Sequence, residues 1–565
     1  MKKLSQRILG VVLAAGMCLS MAACDNSNKD ASQSPSADPS ASPSSSASPT
    51  ASDGKLLTGP EKYKDAEQLE ISVAMWGWTT DKADGEDAIR DKIYDDFKIK
   101  FKFYGVTWDD YKEKAQMWAA TNDLPDITAV DVAFTDTFDS WVKDGIVSQI
   151  PDDLSAYPTL AQSLSFPEAQ KYKKDGHFYG IPRPNYKTPD VGILDPGIMI
   201  RKDWMEKVGV TKLPENTEEF IDLLKKFQTE DPDGNGKADT IGLSAYNISW
   251  LSVLNLSTEP GAVNGYDWID DKDNPGQWIP SFMSKDFLPA MKELRKYFDA
   301  GVVSPDIAIF KDEMGRDKFK NSQAGAYAHS NDTAGFNNMQ DDFKKLMPDT
   351  DFEDIVAWIP PFKHYTDDCY YYKNASLYWS ETYLKAGMDD NKMDRILGLM
   401  DYLLSDEGWE AYSFGFENED YTRDADGNIV LNDKIYKKDG SEAKSLAEKY
   451  PLIGICGLTN WSSYHMLENP STKPETKHLV ETLLDWGETN GAKAYPSHQS
   501  DVEGMDYPSK AKATATANFA KDLNTLMTAP DLEAAVKKLQ DDYLKNGYED
   551  IIKEVNQVAS EKGLK

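Results

Sequence analysis

The chain is poor in the residues that carry most catalytic and metal chemistry. Of 565 residues, four are cysteine and six are histidine. No C-x-x-C pair occurs, which leaves zinc ribbons and dithiol redox centres without support. No H-E-x-x-H occurs either, and the nucleophile-elbow, phosphate-loop and dinucleotide signatures are missing. Positive charge is scarce: 62 Lys and Arg against 95 Asp and Glu leave a formal net charge of −33. Such a balance argues against nucleic acid and against anionic surfaces as partners. The one long apolar run, residues 8–19, is too short for a stable bilayer span.

That run has a different use. Lys2, Lys3 and Arg7 precede it, and Met21-Ala22-Ala23-Cys24 follows it, the pattern of a lipoprotein signal peptide over 1–23. Cys24 is then the mature N-terminus and carries the lipid (palmitate), tying the protein to a membrane. Loss of the three leader cations deepens the net charge to about −36. Residues 24–60 are rich in Ser, Ala, Pro and Asp and have no apolar periodicity. They form a disordered tether spanning roughly 30 Å on average. Two cysteines remain, Cys369 and Cys456, open to one disulfide or to two free thiols.

Residues 61–565 are ample for a large globular core, with 40% hydrophobic and 11% aromatic residues overall. Leu69, Ile71, Val73 and Met75 alternate as a half-buried strand does, and so do Phe97, Ile99, Phe101 and Phe103. Helical stretches over 87–96, 108–120 and 137–145 separate these strands and a third at 126–132. This βαβαβ order predicts a parallel sheet with helices on its faces, and ligands bind beyond the carboxyl ends of such strands. Further on, 393–404 is a long amphipathic helix, and 355–362 and 370–378 are strand candidates.

One stretch, 175–243, is unusually specific. It reads D-G-H-F-Y-G-I-P, I-M-I-R-K-D-W-M-E-K-V-G, N-T-E-E-F-I-D-L-L-K-K-F and D-P-D-G-N-G-K-A-D-T-I-G-L. In the last block Asp231, Asp233, Asn235 and Asp239 fall at positions 1, 3, 5 and 9 of a calcium loop. The Lys237 carbonyl falls at position 7 and Gly236 at the turn. Position 12 is Gly242 instead of Glu, so the set is incomplete. A structural calcium ion is expected there. A second D-x-D-G-N run at 424–428 lacks further ligands and reads as a hairpin turn.

In this order the four blocks resemble the family-1 extracellular solute-binding lipoproteins, capture subunits of ABC importers for oligosaccharides. The branch most like this chain contains the alginate-oligosaccharide-binding proteins and the large sugar-binding lipoproteins of Gram-positive bacteria. The resemblance runs from about residue 69 to the end of the chain. It implies an α/β, two-lobed periplasmic-binding-protein-like fold of type II with a multi-segment hinge. Lobe 1 is expected at about 66–190 and 330–400, and lobe 2 at about 198–325 and 405–565. It also implies a monomer on the extracellular face of the membrane, partnered by an oligosaccharide and by ABC permease subunits, and no enzyme. A surface glycoside hydrolase or a glycan adhesin is the alternative.

Sugars present flat C–H faces that pack on aromatic rings and hydroxyls that need fixed polar partners. Trp supplies both a face and an N–H. Trp76 and Trp78, at the carboxyl end of the first strand, are therefore candidate contacts. By resemblance the Pro-rich 180–201 segment is the first inter-lobe crossing, with Arg183, Asn185 and Tyr186 lining the cleft. Tyr246 and Trp250 follow the calcium loop among amides. His329 ends a strand over 325–330 read as the return to lobe 1. Trp379 sits near the hinge, and Trp461 is a further aromatic candidate.

Overall fold

The computed structural model describes residues 57–76, 78, 87–108, 110–310, 314–374, 376–510, 512–513 and 517–565. The leader, most of the tether and Cys24 lie outside them. Among the described residues no helix is long and apolar enough to cross a membrane.

The first sheet is built on the alternation seen in the sequence. β1 (Leu69–Ala74) buries Ile71 and Val73, and β2 (Ile99–Phe103) buries Ile99, Phe101 and Phe103 while its two lysines face out. The helix Ala88–Phe97 between them starts at Asp87, whose carboxylate accepts from the N–H groups of Ile89 and Arg90. Such a cap satisfies amides that a helix start otherwise leaves open. β3 (Ile127–Val130) and β2 pair parallel to β1. β4 (Ile181–Pro184) completes the sheet across an antiparallel strand described below. The second sheet contains β5 (Gly197–Arg201), β6 (Ile241–Ala245), β9 (Ala324–His329) and β10 (Val356–Ile359) in the order β10-β5-β9-β6. A small hairpin, β7 (Trp268–Asp270) with β8 (Trp278–Pro280), and the short β11 (Tyr371–Tyr372) lie outside both. β12 (Tyr378–Leu384) returns to the first sheet between β3 and β4, giving β2-β1-β3-β12-β4.

Register locates the site. β1, β2 and β3 share a carboxyl edge. Antiparallel β12 begins at that edge, where Tyr378 pairs with Pro184 at the end of β4. In the second sheet β9 runs parallel to β6, His329 pairs with Gly197 at the start of β5, and Ile359 at the end of β10 pairs with Ile198. The chain leaves the first sheet at Pro184 and enters the second at Gly197. It leaves the second at Ile359 and re-enters the first at Tyr378. Both crossings join the same two edges.

Three sequence expectations shift. β9 is not the return strand, and 330–400 is not wholly in the first lobe. After β9 the helix Thr333–Leu346 carries the chain back so that β10 can pair antiparallel with β5. Nor does the second segment of lobe 2 start at 405: Tyr412, Tyr450, Leu452, Ile455 and Leu458 share a core with Ile71, Val73 and Trp76. The strand expected over 370–378 is split. Among the described residues only Tyr371–Tyr372 is extended before β12, and Lys373 beyond it donates to the Val263 carbonyl at 2.8 Å. The D-x-D-G-N run is a hairpin turn as expected, between the paired strands Tyr421–Arg423 and Ile429–Leu431. Cys369 and Cys456 are both free thiols, and burial pushes the Cys456 thiol up to about 12.

Candidate functional site

At the carboxyl edge of the first sheet four tryptophans from four separate loops converge. Trp76 follows β1, Trp108 follows β2, Trp379 opens β12, and Trp461 hydrogen-bonds through its backbone N–H to the Pro184 carbonyl (2.9 Å). The Trp76 ring centroid lies 5.0 Å from Trp108, 5.4 Å from Trp461 and 6.0 Å from Trp379. Trp108 and Trp379 are nearly parallel, with 14° between planes. The Trp461 indole N–H donates to the Trp379 carbonyl at 2.7 Å, so the rings are tied as well as packed. Trp76 is the buried centre at 4% exposure, while Trp108 and Trp379 present faces at 54% and 39%. Large apolar rings held open to solvent at a sheet edge are what a ligand surface requires.

Arg183 lies beneath this cluster. Its guanidinium carbon is 4.8 Å from the Trp76 ring and 4.2 Å from the Trp461 ring, and Nη1 donates to Ser380 Oγ at 2.9 Å. Burial lowers its affinity for the proton to a pKa of about 9, and Glu381 opposes that shift. Glu381 is buried too. It accepts from the Val132 and Ala133 amides and from the Tyr383 hydroxyl, and burial pushes its carboxyl up to about 7.

The matching edge of the second sheet carries a smaller cluster. Tyr246 follows β6, His329 ends β9, and Trp250 begins the next turn of chain. His329 stacks on Tyr246 at 4.8 Å and lies 4.4 Å from Trp250. Burial, aided by Arg316, depresses the His329 imidazole to about 4, so it is neutral at pH 7.

Several sequence-predicted residues take other roles. Trp78 turns into the core, edge-on to Phe103 at 5.6 Å, because the strand ends at Ala74 and the chain turns, the Trp78 N–H donating to the Met75 carbonyl at 3.1 Å. Arg183 is buried behind the tryptophan rings and supports them. Tyr186 is buried among Val191, Leu194 and Tyr327, its hydroxyl donating to Asp195 at 3.3 Å. Asn185 pins the crossing: its N–H donates to the Leu377 carbonyl and its side chain accepts from Ser463 Oγ, both at 2.7 Å. Trp108 was missed. In sequence it reads as the first residue of a helix, which instead spans Tyr111–Ala120, and nothing local marks it for the cluster.

The acidic loop is compact. Asn235 Nδ2 donates to Asp233 (2.7 Å) and to Asp239 (3.0 Å), and the Gly236 N–H donates to Asp231 Oδ2. Asp231 Oδ1 is buried with no hydrogen-bond partner among the described residues. No three His, Cys, Asp or Glu side chains among them converge closely enough to hold a metal ion as they stand. The donors are nonetheless all oxygen, in calcium-loop order, with one buried oxygen unmet, and so fit a hard cation.

A family model for bacterial extracellular solute-binding protein matches residues 82–410. Lipoprotein LipO of Bacillus subtilis (strain 168) is 29% identical over 233 residues, covering 39% of this chain and 42% of LipO. The chain thus aligns with less than half the length of that relative. Among solved structures, the alginate-binding protein AlgQ2 without calcium ion superposes with a TM-score of 0.64 at 15% identity, covering 88% of this chain and 99% of AlgQ2. The substrate-binding protein FusA of S. pneumoniae, in complex with kestose, superposes with a TM-score of 0.63 at 14% identity, covering 88% of this chain and 100% of FusA. At such identities these likenesses establish the fold alone: the two-domain α/β architecture of solute-binding proteins with a hinge of several segments.

Proposed function

The chain belongs to the family of bacterial extracellular solute-binding proteins, and from that premise we propose that it is the lipid-anchored capture subunit of an ABC importer for an oligosaccharide. The observation that carries the reading is the pairing of two aromatic clusters, Trp76/Trp108/Trp379/Trp461 and Tyr246/Trp250/His329, on the two sheet edges that the crossings join. A glycan touching both clusters binds the closed form more tightly than the open one, and that difference drives closure. Kestose bound to FusA and alginate named for AlgQ2 support a sugar cargo. The permease, the Cys24 lipid, the extracellular membrane face and a monomeric state belong to the same reading, as does the absence of catalysis. Retaining glycosidases need two carboxyls about 5 Å apart beside the sugar. The carboxyl below the cluster, Glu381, is instead enclosed by backbone amides and Tyr383.

The test is thermal unfolding against a panel of oligosaccharides, with the recovered sugar analysed by mass. A cargo at 100 times its dissociation constant stabilises by about 2.7 kcal/mol. It should come back intact. A sugar recovered in smaller pieces would make this an enzyme.

Asp231, Asp233, Asn235, the Lys237 carbonyl and Asp239 are the residues that would hold calcium. Bound there, calcium would supply positive charge among like carboxylates in the turn between the helix Thr217–Thr229 and β6, a structural role. Saturating calcium should raise the unfolding midpoint and chelator should remove the rise. Asp231→Ala should make the chain indifferent to both. A wild-type chain that ignores calcium would return the loop to an ordinary Asp/Asn/Gly turn.

A further inference from the structure

We propose that the cleft selects uncharged glycans and discriminates against uronates and other anionic sugars, because the cations around its two aromatic clusters are either buried beneath the rings or already paired with the protein's own carboxylates. The inference rests on the glycan-capture reading above and names the class of glycan.

A carboxylate on a buried sugar must exchange its water for a fixed cation or for several hydrogen-bond donors, or else bind weakly. Arg183 is the cation nearest the four tryptophans, and it is out of reach. It is 1% exposed, covered by the Trp76 and Trp461 rings, with Nη1 committed to Ser380 and with Glu381 as the opposing charge. Its Nε has no acceptor among the described residues, but it is buried as well. A ligand could meet it only by parting the rings that would hold the sugar.

The cations at the rim are paired in the same way. Lys112 lies over the Tyr111 ring and bridges to Asp131 at 2.8 Å, and Asp131 also accepts from the Tyr111 hydroxyl at 2.7 Å. Tyr111 packs on Trp76 at 5.0 Å, so the exposed cation nearest the cluster, Lys112, is held against a carboxylate of the protein's own, Asp131. Lys187, on the crossing, bridges to Glu468 at 2.8 Å. Beside the second cluster, Arg316 is bridged to Asp342 at 2.6 Å, and His329, with its depressed pKa, carries no charge at neutral pH. What the two clusters offer a ligand is ring faces and an uncharged imidazole. Uncharged sugar rings fit that surface, and the net charge of −33 repels the alternative at longer range.

The experiment uses the full chain purified in detergent. Matched pairs of oligosaccharides from glucan, galactan and mannan series, each a neutral chain and its C6-oxidised uronate, are titrated by calorimetry and by tryptophan fluorescence. The neutral member of the responding pair should bind at least about tenfold more tightly, a modest cost for a carboxylate buried without a partner. Its affinity should not change between about 50 and 500 mM salt. A uronate that binds as tightly or better, with affinity falling as salt rises, overturns the proposal and means that the rings part to expose Arg183. If neither member of any pair binds, the glycan reading itself fails. The two failures are therefore distinguishable.

Discussion

Trp76→Ala should cost about 3–5 kcal/mol of folding stability and abolish glycan capture, whereas Trp379→Ala should abolish most capture at little cost to folding. The difference lies in position. Trp76 is 4% exposed and touches Trp108, Tyr111, Trp379, Trp461 and the Arg183 guanidinium. Truncating it leaves a cavity in the middle of the cluster and uncovers a buried cation. Domains are stable by only about 5–15 kcal/mol, so the loss is a large share of the whole. Trp379 is 39% exposed, and the bond it receives from Trp461 is to its backbone carbonyl, which alanine keeps. Removing its ring should cost under about 1 kcal/mol of stability and about tenfold or more in sugar affinity. Urea denaturation and calorimetric titration of both variants check this. A Trp379→Ala chain that binds glycan like the wild type would show that these exposed faces are not the ligand surface.

Mild acid should stabilise the protein. Glu259 and Glu381 are buried, at 0% and 3% exposure, and burial pushes both carboxyls up to about 7 from an ordinary 4.5. A group whose pKa is raised on folding binds its proton more tightly in the folded chain. Its contribution is full below the unfolded value and is lost as pH rises through the folded value. Between about pH 8 and pH 5 each of the two groups should therefore add on the order of 2 kcal/mol. Asp195, raised to about 6, adds somewhat less, while His329 and His465, depressed to about 4 by burial, take back a similar amount each, leaving a smaller net climb. Below about pH 4 the trend reverses, as carboxylates held low by lysines, such as Glu218 beside Lys296, take up protons. Glu381→Gln keeps an acceptor for the Val132 and Ala133 amides but cannot titrate. Between about pH 8 and pH 5 it should gain on the order of 2 kcal/mol less than the wild type. A variant curve parallel to the wild-type curve from pH 5 to 8 would mean that the Glu381 carboxyl reaches water.

Much of the fold was legible because its signals are local. Period-two alternation marked β1 and β2. The helix Thr217–Thr229 begins with a signal of the same short range, Asn216 accepting the Glu219 N–H three residues on. The strand borders failed where local pattern and long-range pairing disagree. β9 looked like a return strand because the segment before it resembles the one that precedes the return strand in the family. Only its pairing with β5 and β6 shows that the chain has one more strand, β10, to lay down before it crosses.

The site was legible in part, for the same reason. Trp76, Trp379, Trp461, Tyr246, Trp250 and His329 could be nominated from residue type and position at strand ends. Which would meet could not, since the four tryptophans come from loops far apart in the chain. Their meeting depends on β12 running antiparallel into the first sheet, and that is a property of pairing, not of any one segment. Trp78, two residues from Trp76, would share its face in a regular strand, but the chain ceases to be strand after Ala74 and Trp78 folds into the core. Arg183 and Tyr186 were placed in the cleft by their segment, and packing put them behind it.

By itself, then, the sequence determined the chemistry on offer: an acidic chain with few thiols and imidazoles, alternating strands, capped helices, an oxygen-rich loop and an excess of tryptophan at loop positions. These are properties of short stretches, decided by backbone geometry and side-chain type. Only the tertiary structure decided which tryptophans form a surface, which cation is walled off beneath it, and which two sheet edges the crossings join. Those depend on strand order and burial, in which residues hundreds of positions apart compete for the same space and for the same few counter-charges.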